Sequence, residues 1–371
     1  VKRLLLCGGG HTHVEVLRRF GRRPVAGVEL VLVNPSRFTP YSGMLPGLIA
    51  GHYRTDAIHL DLEHIARFAD ARFLQTLVTA FDARRRTATL ADGASLAFDV
   101  ASLDIGSRPP TDGIAGASEH AIGVKPVEPF LRVWDEWRER ARAGKFGRLV
   151  VVGGGAAGVE TMLAMQHRLG RETGRRDAVE CELLSDDDVL PDHNDRVRAI
   201  FRRILTERGV ELRLGNRVER VTAATVEAEN GGVVRADAVV WATGAAPLPL
   251  LGTTGLALDA AGFVAVNDRL QSVSHAQVFA AGDCASITGH PRPKSGVFAV
   301  RAGPPLAANL RAALEGRALQ RFVPQRRALA LISTGDRYAV ASRGQWAVEG
   351  AWVWRWKDWI DRRFVRQYAM L

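Results

Sequence analysis

The residues best placed to do chemistry are two glycine triplets, each running out of an apolar stretch. Residues 148–160 read RLVVVGGGAAGVE, with Gly153, Gly155 and Gly158 at the glycine positions of G-x-G-x-x-G. The first allows a tight turn, the second lets a pyrophosphate approach the backbone, and the third lets a helix pack closely on its strand. The chemistry implied is anion binding by backbone N–H groups at the positive end of a helix. Residues 2–13, KRLLLCGGGHTH, repeat the pattern with Gly8 and Gly10. His13 takes the third position, where a larger side chain should push helix and strand slightly apart. His11 and His13 have no Cys or carboxylate partner at ligand spacing, so no metal is expected. Cys7, Cys181 and Cys284 lie far apart and form no C-x-x-C, which argues against a disulfide framework and against a cysteine zinc site. Each reads as a small buried residue.

These groups need strands that end where the ligand sits. Leu149–Val152 has the length and β-branching of a buried parallel strand, and Lys2–Cys7 precedes the first glycine run. Val28–Val33 ends at Asn34, where an acid usually holds the adenosine ribose; Asn34 offers a hydrogen bond without charge. Val179–Leu184 ends at Ser185, which selects neither NADH nor NADPH, with Asp186 one step on. Asp99–Gly106 and Asp237–Gly244 are matching strand exits. Val278–Ala281 runs into Gly282-Asp283, a carboxylate at a strand end placed to accept a polyol hydroxyl. The Pro/Gly-rich but apolar stretch Ser36–Gly51 suits a cavity wall. Helices are expected over Ala57–Phe68, Glu128–Arg142 (with Trp134 and Trp137 as packing), Asp192–Arg208 and Val297–Leu314. An antiparallel excursion is expected over Arg72–Phe98, turning at Asp92-Gly93. Short strands are expected at Ala328–Ser333 and Tyr338–Ser342, and a Trp- and Arg-rich tail at Trp352–Tyr368.

The 371 residues allow two or three domains, and 47% apolar with 24% charged residues suits a soluble globular protein. The net charge of +10 comes from scattered Arg, with only five Lys, so no nucleic-acid partner is expected. The first strand begins at once, leaving no visible signal peptide. The long uncharged window Ala238–Leu258 carries Pro247 and Pro249, and reads as strand then loop rather than membrane helix. The expected location is the cytoplasm.

Two strand–glycine–helix units, two strand exits and a late Gly-Asp strand, in this order, resemble the two-dinucleotide flavoproteins of the pyridine nucleotide–disulfide reductase superfamily. The resemblance implies an α/β fold of two Rossmann-like (three-layer ββα) domains. An FAD domain of residues 1–112 and 245–320 would hold an inserted NAD(P)H domain, 113–244, and be followed by a small α+β segment, 321–371. It places FAD at Gly8, Gly10, His11, Asn34, Gly106 and Asp283. It places NAD(P)H at Gly153, Gly155, Gly158, Ser185 and Gly244, with Glu160 close to where nicotinamide meets flavin. No Cys pair follows the first helix, so the chain looks like the thiol-free type II NADH:quinone oxidoreductases. Pro293-Lys294-Ser295-Gly296 looks like the Pro-Lys-Thr-Gly stretch of sulfide:quinone oxidoreductases, where the Lys sits by the flavin. YSGMLPGLIAG, PKSGVFAVRAGPPLAANLRAAL, ALISTGDRYAVASRG and WVWRWKDWIDRRF resemble the flavoprotein module fused to selenide, water dikinase, which implies a link to selenium metabolism and the kinase as a partner.

The function these features imply is hydride passage from NAD(P)H to FAD, then to a small acceptor. Lys294 would stabilise reduced flavin, worth roughly 1–4 kcal/mol for one partly dry charge contact; the alternative is a solvated loop lysine. Glu160 would orient nicotinamide or shuttle a proton. Quinone is one acceptor, although Val297 and Arg301 stand where the type II enzymes carry Ala-Gln-x-x-x-Gln. A sulfide- or selenide-oxidising enzyme and a slow-turnover partner module are the rival readings. In the tail, Trp356, Ile360 and Phe364 are expected to share a helix face with Trp359. That face would either touch the inner face of the membrane or pack on the chain itself or in a homodimer seam.

Overall fold

The computed structural model describes residues 1–325 and 328–371. Two five-stranded parallel sheets form its centre. The first has spatial order Val278–Ala280, Val100–Leu103, Lys2–Cys7, Val28–Asn34 and Ala71–Gln75. Leu4 pairs with Leu30 on one side and Val100 on the other. Strands covered on both faces read as continuous apolar runs, and Leu4, Leu5, Leu6, Val31 and Leu32 are all buried. The second sheet runs Ile122–Gly123, Ala238–Trp241, Arg148–Val152, Glu180–Leu184 and Val210–Arg213, with Val150, Val151 and Val240 buried. Its strands lie, in chain order, between those of the first sheet. The fold is therefore α/β with two Rossmann-like sheets.

Each central strand turns sharply into a helix through a glycine no other residue could replace. Gly8 has φ +94°, and a side chain there would meet the Asp104 carbonyl oxygen at 2.3 Å. Gly153 has φ +125° and would meet the Ala242 carbonyl oxygen at 2.6 Å. The helices His11–Arg22 and Ala156–Thr173 follow. His13 does more than space helix and strand. Its buried ring takes the Gly8 carbonyl at 2.7 Å through Nδ1 and the Ser102 hydroxyl at 2.8 Å through Nε2, bridging two strands.

Two antiparallel three-stranded sheets flank the centre, Val78–Asp82 with Thr87–Leu90 and Ser95–Ala97, and Val218–Val221 with Thr225–Ala228 and Val233–Arg235. The expected excursion over Arg72–Phe98 is thus shorter, because Ala71–Gln75 joins the parallel sheet as its edge. The helix expected over Ala57–Phe68 covers only Leu62–Phe68. Asp61 caps it by accepting the Glu63 and His64 N–H groups, and His59–Asp61 pairs as a strand with Phe38–Pro40. Trp134 and Trp137 are buried on the helix Val127–Arg142.

The C-terminal segment adds a strand the sequence pattern did not show. Ala330–Ser333, Ala339–Arg343 and Trp346–Gly350 form an antiparallel sheet, and the helix Ala351–Ala369 follows. That helix reaches back to the first one, where the Tyr368 hydroxyl donates to the buried Glu15 at 3.0 Å. Glu15 is also held by Arg18 and Arg19, each at 2.7 Å.

Candidate functional site

The two strand exits meet. The Arg108 N–H donates to the Ala246 carbonyl at 2.9 Å and the Ala246 N–H returns a bond to Arg108 at 2.8 Å. Gly106, at φ +75°, and Gly244 stand just ahead of this two-stranded crossing between the sheets. Beside it, the Lys125 ammonium lies 2.9 Å from the Asp283 carboxylate, with the Ser107 hydroxyl 3.4 Å from the same oxygen. Lys125 precedes the helix Val127–Arg142, whereas Asp283 follows the edge strand of the first sheet.

The two glycine cradles differ. At the second, a Cβ on Gly155 would meet nothing within 4 Å. Among the described residues the N–H groups of Gly155, Ala156 and Ala157 have no protein acceptor. This is open space over free donors at a helix start, and it fits a nucleotide pyrophosphate. Ser185 is buried beneath it, its hydroxyl accepting the Asp187 N–H at 3.3 Å and bracing the Gly154 turn. At the first cradle, a Cβ on Gly10 would strike the Asp104 carboxyl at 2.3 Å. Asp104 Oδ2 accepts the N–H groups of Thr12 at 3.0 Å and His13 at 3.1 Å. Asn34 accepts the Gly9 N–H at 2.8 Å and donates to the Ser36 carbonyl at 2.7 Å, so its amide holds the turn. The N–H groups of Gly10 and His11 remain without a protein acceptor among the described residues.

His11 carries a second orphan, its buried ring Nε2. The ring packs 5.4 Å from Tyr41, edge to face, and 6.1 Å from Phe364. Burial, with Lys125 nearby, pushes its pKa down to about 4, so the imidazole is neutral and its unpartnered nitrogen is available to a ligand. The free donors, this orphan nitrogen and Asp283 together fit an elongated anionic dinucleotide bearing hydroxyls. FAD is such a molecule.

Glu160, on the helix Ala156–Thr173, is committed elsewhere than expected. Its Oε1 accepts the Ser333 N–H at 2.7 Å and the Ser333 hydroxyl at 2.9 Å, tying the second sheet's helix to the C-terminal sheet. Burial raises its pKa against the pull of Lys357. Lys357 donates to the Gly43 carbonyl and to Asp361 at 2.7 Å. Burial works against its charge, but Asp361 and Glu160 hold its pKa above the ordinary value. Tyr41, stacked 4.3 Å from Phe364, completes the cluster; burial and Asp361 raise its pKa. Sequence reasoning missed Lys125, Asp104, Lys357 and Asp361, each joined to its partner across more than 90 residues or hidden in the tail's charge pattern.

Among the described residues Lys294 is not in direct contact with a carboxylate, although Asp259 and Asp283 lie within electrostatic range. Its ammonium lies 3.8 Å from the centre of the Phe263 ring and donates to the Ala285 carbonyl, and desolvation lowers its pKa. Cys7, Cys181 and Cys284 are buried free thiols, each pushed by burial up to about 12. None is a nucleophile at neutral pH.

The tail is one helix with two unlike faces. Phe364 and Tyr368 are buried, whereas Trp352 and Trp359 are 50% and 57% exposed. Trp359 and Phe364 do not share the expected face, because five residues rotate about 140° around a helix. No helix among the described residues is long and apolar enough to cross a membrane.

Residues 2–303 match the pyridine nucleotide-disulphide oxidoreductase family. The chain is 28% identical over 352 residues to demethylphylloquinone reductase NdbB of Synechocystis, covering 90% of this chain and 85% of that protein. It is 30% identical over 220 residues to the NADH dehydrogenase-like protein MT1860 of Mycobacterium tuberculosis, covering 56% of this chain and 54% of that one. The sulfide:quinone oxidoreductase of Aquifex aeolicus shares the fold, with a TM-score of 0.83 over 99% of this chain and 91% of that one at 16% identity. With two dinucleotide cradles on paired parallel sheets, the chain belongs to the pyridine nucleotide-disulphide oxidoreductase family and is an FAD-dependent NAD(P)H oxidoreductase.

Proposed function

We propose that this chain oxidises NAD(P)H and delivers the electrons to a quinone without using a thiol. The observation that carries the reading is the arrangement of two phosphate cradles joined by the Arg108–Ala246 crossing, with all three cysteines buried and protonated. FAD, when bound, accepts hydride and releases electrons singly or in pairs. The protein binds and orients: Gly10 and His11 N–H groups for one pyrophosphate, Gly155, Ala156 and Ala157 for the other, and Asp283 for a hydroxyl of the flavin's polyol chain. Asn34 shapes the first turn, Ser185 the second, and Gly106 and Gly244 lead into the crossing. Residues 1–112 and 245–320 are assigned to FAD, 113–244 to NAD(P)H and 321–371 to the cover.

Tyr41 and Phe364 pack on the His11 ring, and Asp361 links Tyr41 to Lys357 and Glu160, giving an apolar aromatic surface with one buried cation. That surface suits a planar, weakly polar acceptor, and two of the proteins it resembles are named for quinone chemistry. Lys294 is assigned to tune the flavin, which requires its release from Phe263, and Glu160 to position the nicotinamide, which requires its release from Ser333. The exposed Trp352 and Trp359 on an arginine-rich helix support contact with a membrane surface, where such an acceptor would dissolve.

Anaerobic stopped-flow mixing tests the reading. NADH or NADPH should bleach the flavin, and a soluble quinone should restore its colour faster than oxygen does. Bleaching by neither donor removes the reductase function, and recovery only with oxygen removes the quinone. Bleaching by sulfide or selenide instead would favour the selenium-linked reading, and pull-down of selenide, water dikinase the partner-module reading.

A further inference from the structure

The two cradles are built alike but differ at one buried carboxylate. Where Gly155 faces open space, Gly10 faces Asp104, which is 4% exposed and fills the room in front of the helix His11–Arg22. Asp104 Oδ2 is held by the Thr12 and His13 N–H groups, and Oδ1 lies 2.3 Å from where a Cβ on Gly282 would stand. The carboxyl is thus wedged between the phosphate loop and the Gly282-Asp283 turn, next to the Gly10 and His11 donors left for a pyrophosphate. Two like charges brought together in a desolvated site cannot both persist without cost.

We infer that Asp104 is a positioning residue for the flavin dinucleotide and takes up a proton when the pyrophosphate docks at Gly10 and His11, so that FAD affinity falls as pH rises above neutrality. The step is balanced simply: solvent supplies one proton, the carboxylate becomes a neutral carboxyl on Oδ1, and no bond in the cofactor changes. The helix start keeps its two N–H bonds to Oδ2 in either protonation state. It rests on FAD occupying the N-terminal cradle.

Among the groups around the cradle, Asp104 is the carboxyl that burial carries to near neutrality. Burial pushes it up to about 7, opposed by the His13 and Thr12 N–H groups and assisted by the Asp283 charge. On the helix it caps, burial holds His11 and His13 down at about 4. The Cys7 thiol, on the strand Lys2–Cys7, and the Cys284 thiol, in the turn Gly282–Cys284, are pushed up to about 12. Across the site, Asp283 is paired with Lys125, and Lys294 lies on Phe263. The sign follows from linkage. An added anion raises the Asp104 pKa, so protons bind more in the complex than in the free protein. Below the free value affinity is flat; above it, affinity falls by up to tenfold per pH unit.

Full-length apoprotein titrated with FAD between pH 6 and 8.5, followed by flavin fluorescence, tests this. In the wild type Kd should rise at least fivefold from pH 7 to 8.5, and in Asp104→Asn the profile should be flat. Should that variant not fold, calorimetry of the wild type in two buffers of different ionisation enthalpy should show uptake of a fraction of a proton per FAD, growing above pH 7. A wild-type Kd independent of pH, absent proton uptake, or an unchanged slope in Asp104→Asn overturns the assignment. Failure to bind FAD at any pH overturns both this and the cradle on which it rests.

Discussion

The Lys125 ammonium, from the loop ahead of the second sheet's flanking helix, sits 2.9 Å from the Asp283 carboxylate of the first sheet. It is the counter-ion of the carboxylate expected to hold the flavin's polyol chain, and it spans the two sheets' territories. The lysine side chain is 47% exposed, so the pair itself contributes under about 1 kcal/mol to stability. Its effect should be on the cofactor. Lys125→Met should shift Tm by less than about 2 °C yet weaken FAD severalfold, because Asp283 then faces the dinucleotide without a cation. A double-mutant cycle with Asp283→Asn, read as FAD Kd, should be non-additive; strict additivity would show that the two act separately.

Lys357 is different because it is enclosed. It neutralises Asp361 on its own helix directly, and Glu160 on the helix Ala156–Thr173 at longer range. Removing the cation leaves buried carboxyl groups unpaired, a change that costs about 3–5 kcal/mol in comparable settings. Lys357→Met should therefore lower stability by about 3 kcal/mol in urea unfolding. Adding Asp361→Leu should recover part of it. A Lys357→Met protein as stable as wild type would show that the cluster is not held together by charge.

Much of the architecture could be read from particular residues. Leu149–Val152 and Lys2–Cys7 run into glycines whose positive φ values match the turns they were expected to make. The strand exits at Gly106 and Gly244 lead directly into the crossing. What escaped was long-range side-chain pairing. Asp104 reads as a strand-end residue until its carboxyl is seen on Thr12, 92 positions away. Lys357 reads as one charge in a solvated tail until it is found on Gly43, 314 positions away. His13 was expected only to cost close packing, because its ring's two hydrogen bonds depend on Ser102 in another strand. Local periodicity carries no record of such partners.

The second cradle yields a separation of folding from binding. Gly155 has nothing within 4 Å of its missing Cβ, so Gly155→Val should leave Tm within about 2 °C of wild type and retain FAD. The added methyls would occupy the phosphate approach, raising KM for NADH by tenfold or more. Gly153→Val, strained at φ +125° and clashing with Ala242, should instead destabilise the whole second sheet. Equal thermal losses in the two variants would contradict the open-cradle geometry.

Glu172 sets an acid limit on the packing between the helices Val127–Arg142 and Ala156–Thr173. Burial alone would raise its pKa, but Arg138, Arg142 and Arg168 bring it down to about 2 from 4.5. A depressed folded-state pKa contributes stability that is complete above the unfolded value and disappears as pH falls from 4.5 towards 2. The contribution is about 1–2 kcal/mol once solvent screening of the arginines is allowed for. Glu172→Gln should cost that much in urea unfolding at pH 7, and the gap to wild type should narrow by pH 3.5. A gap independent of pH would point to lost packing rather than charge.

The C-terminal helix keeps aromatic surface in water that its own packing does not use. Phe364 and Tyr368 already bind it to Tyr41 and Glu15. Trp352 stacks 6.5 Å from Trp356, and Arg363 lies 5.3 Å over Trp359, so the outer face alternates indole with guanidinium. Indoles favour the headgroup region, and arginines favour anionic lipid, each worth about 1 kcal/mol near such a surface. Vesicles containing anionic lipid should therefore pellet the wild type at low salt, and neutral vesicles should not. Trp352→Ala with Trp359→Ala should reduce pelleting at least fivefold while leaving the melting temperature unchanged, since both side chains face solvent. If instead the double variant changes the sedimentation coefficient of the protein alone, the stripe is a seam between two copies and the membrane reading fails.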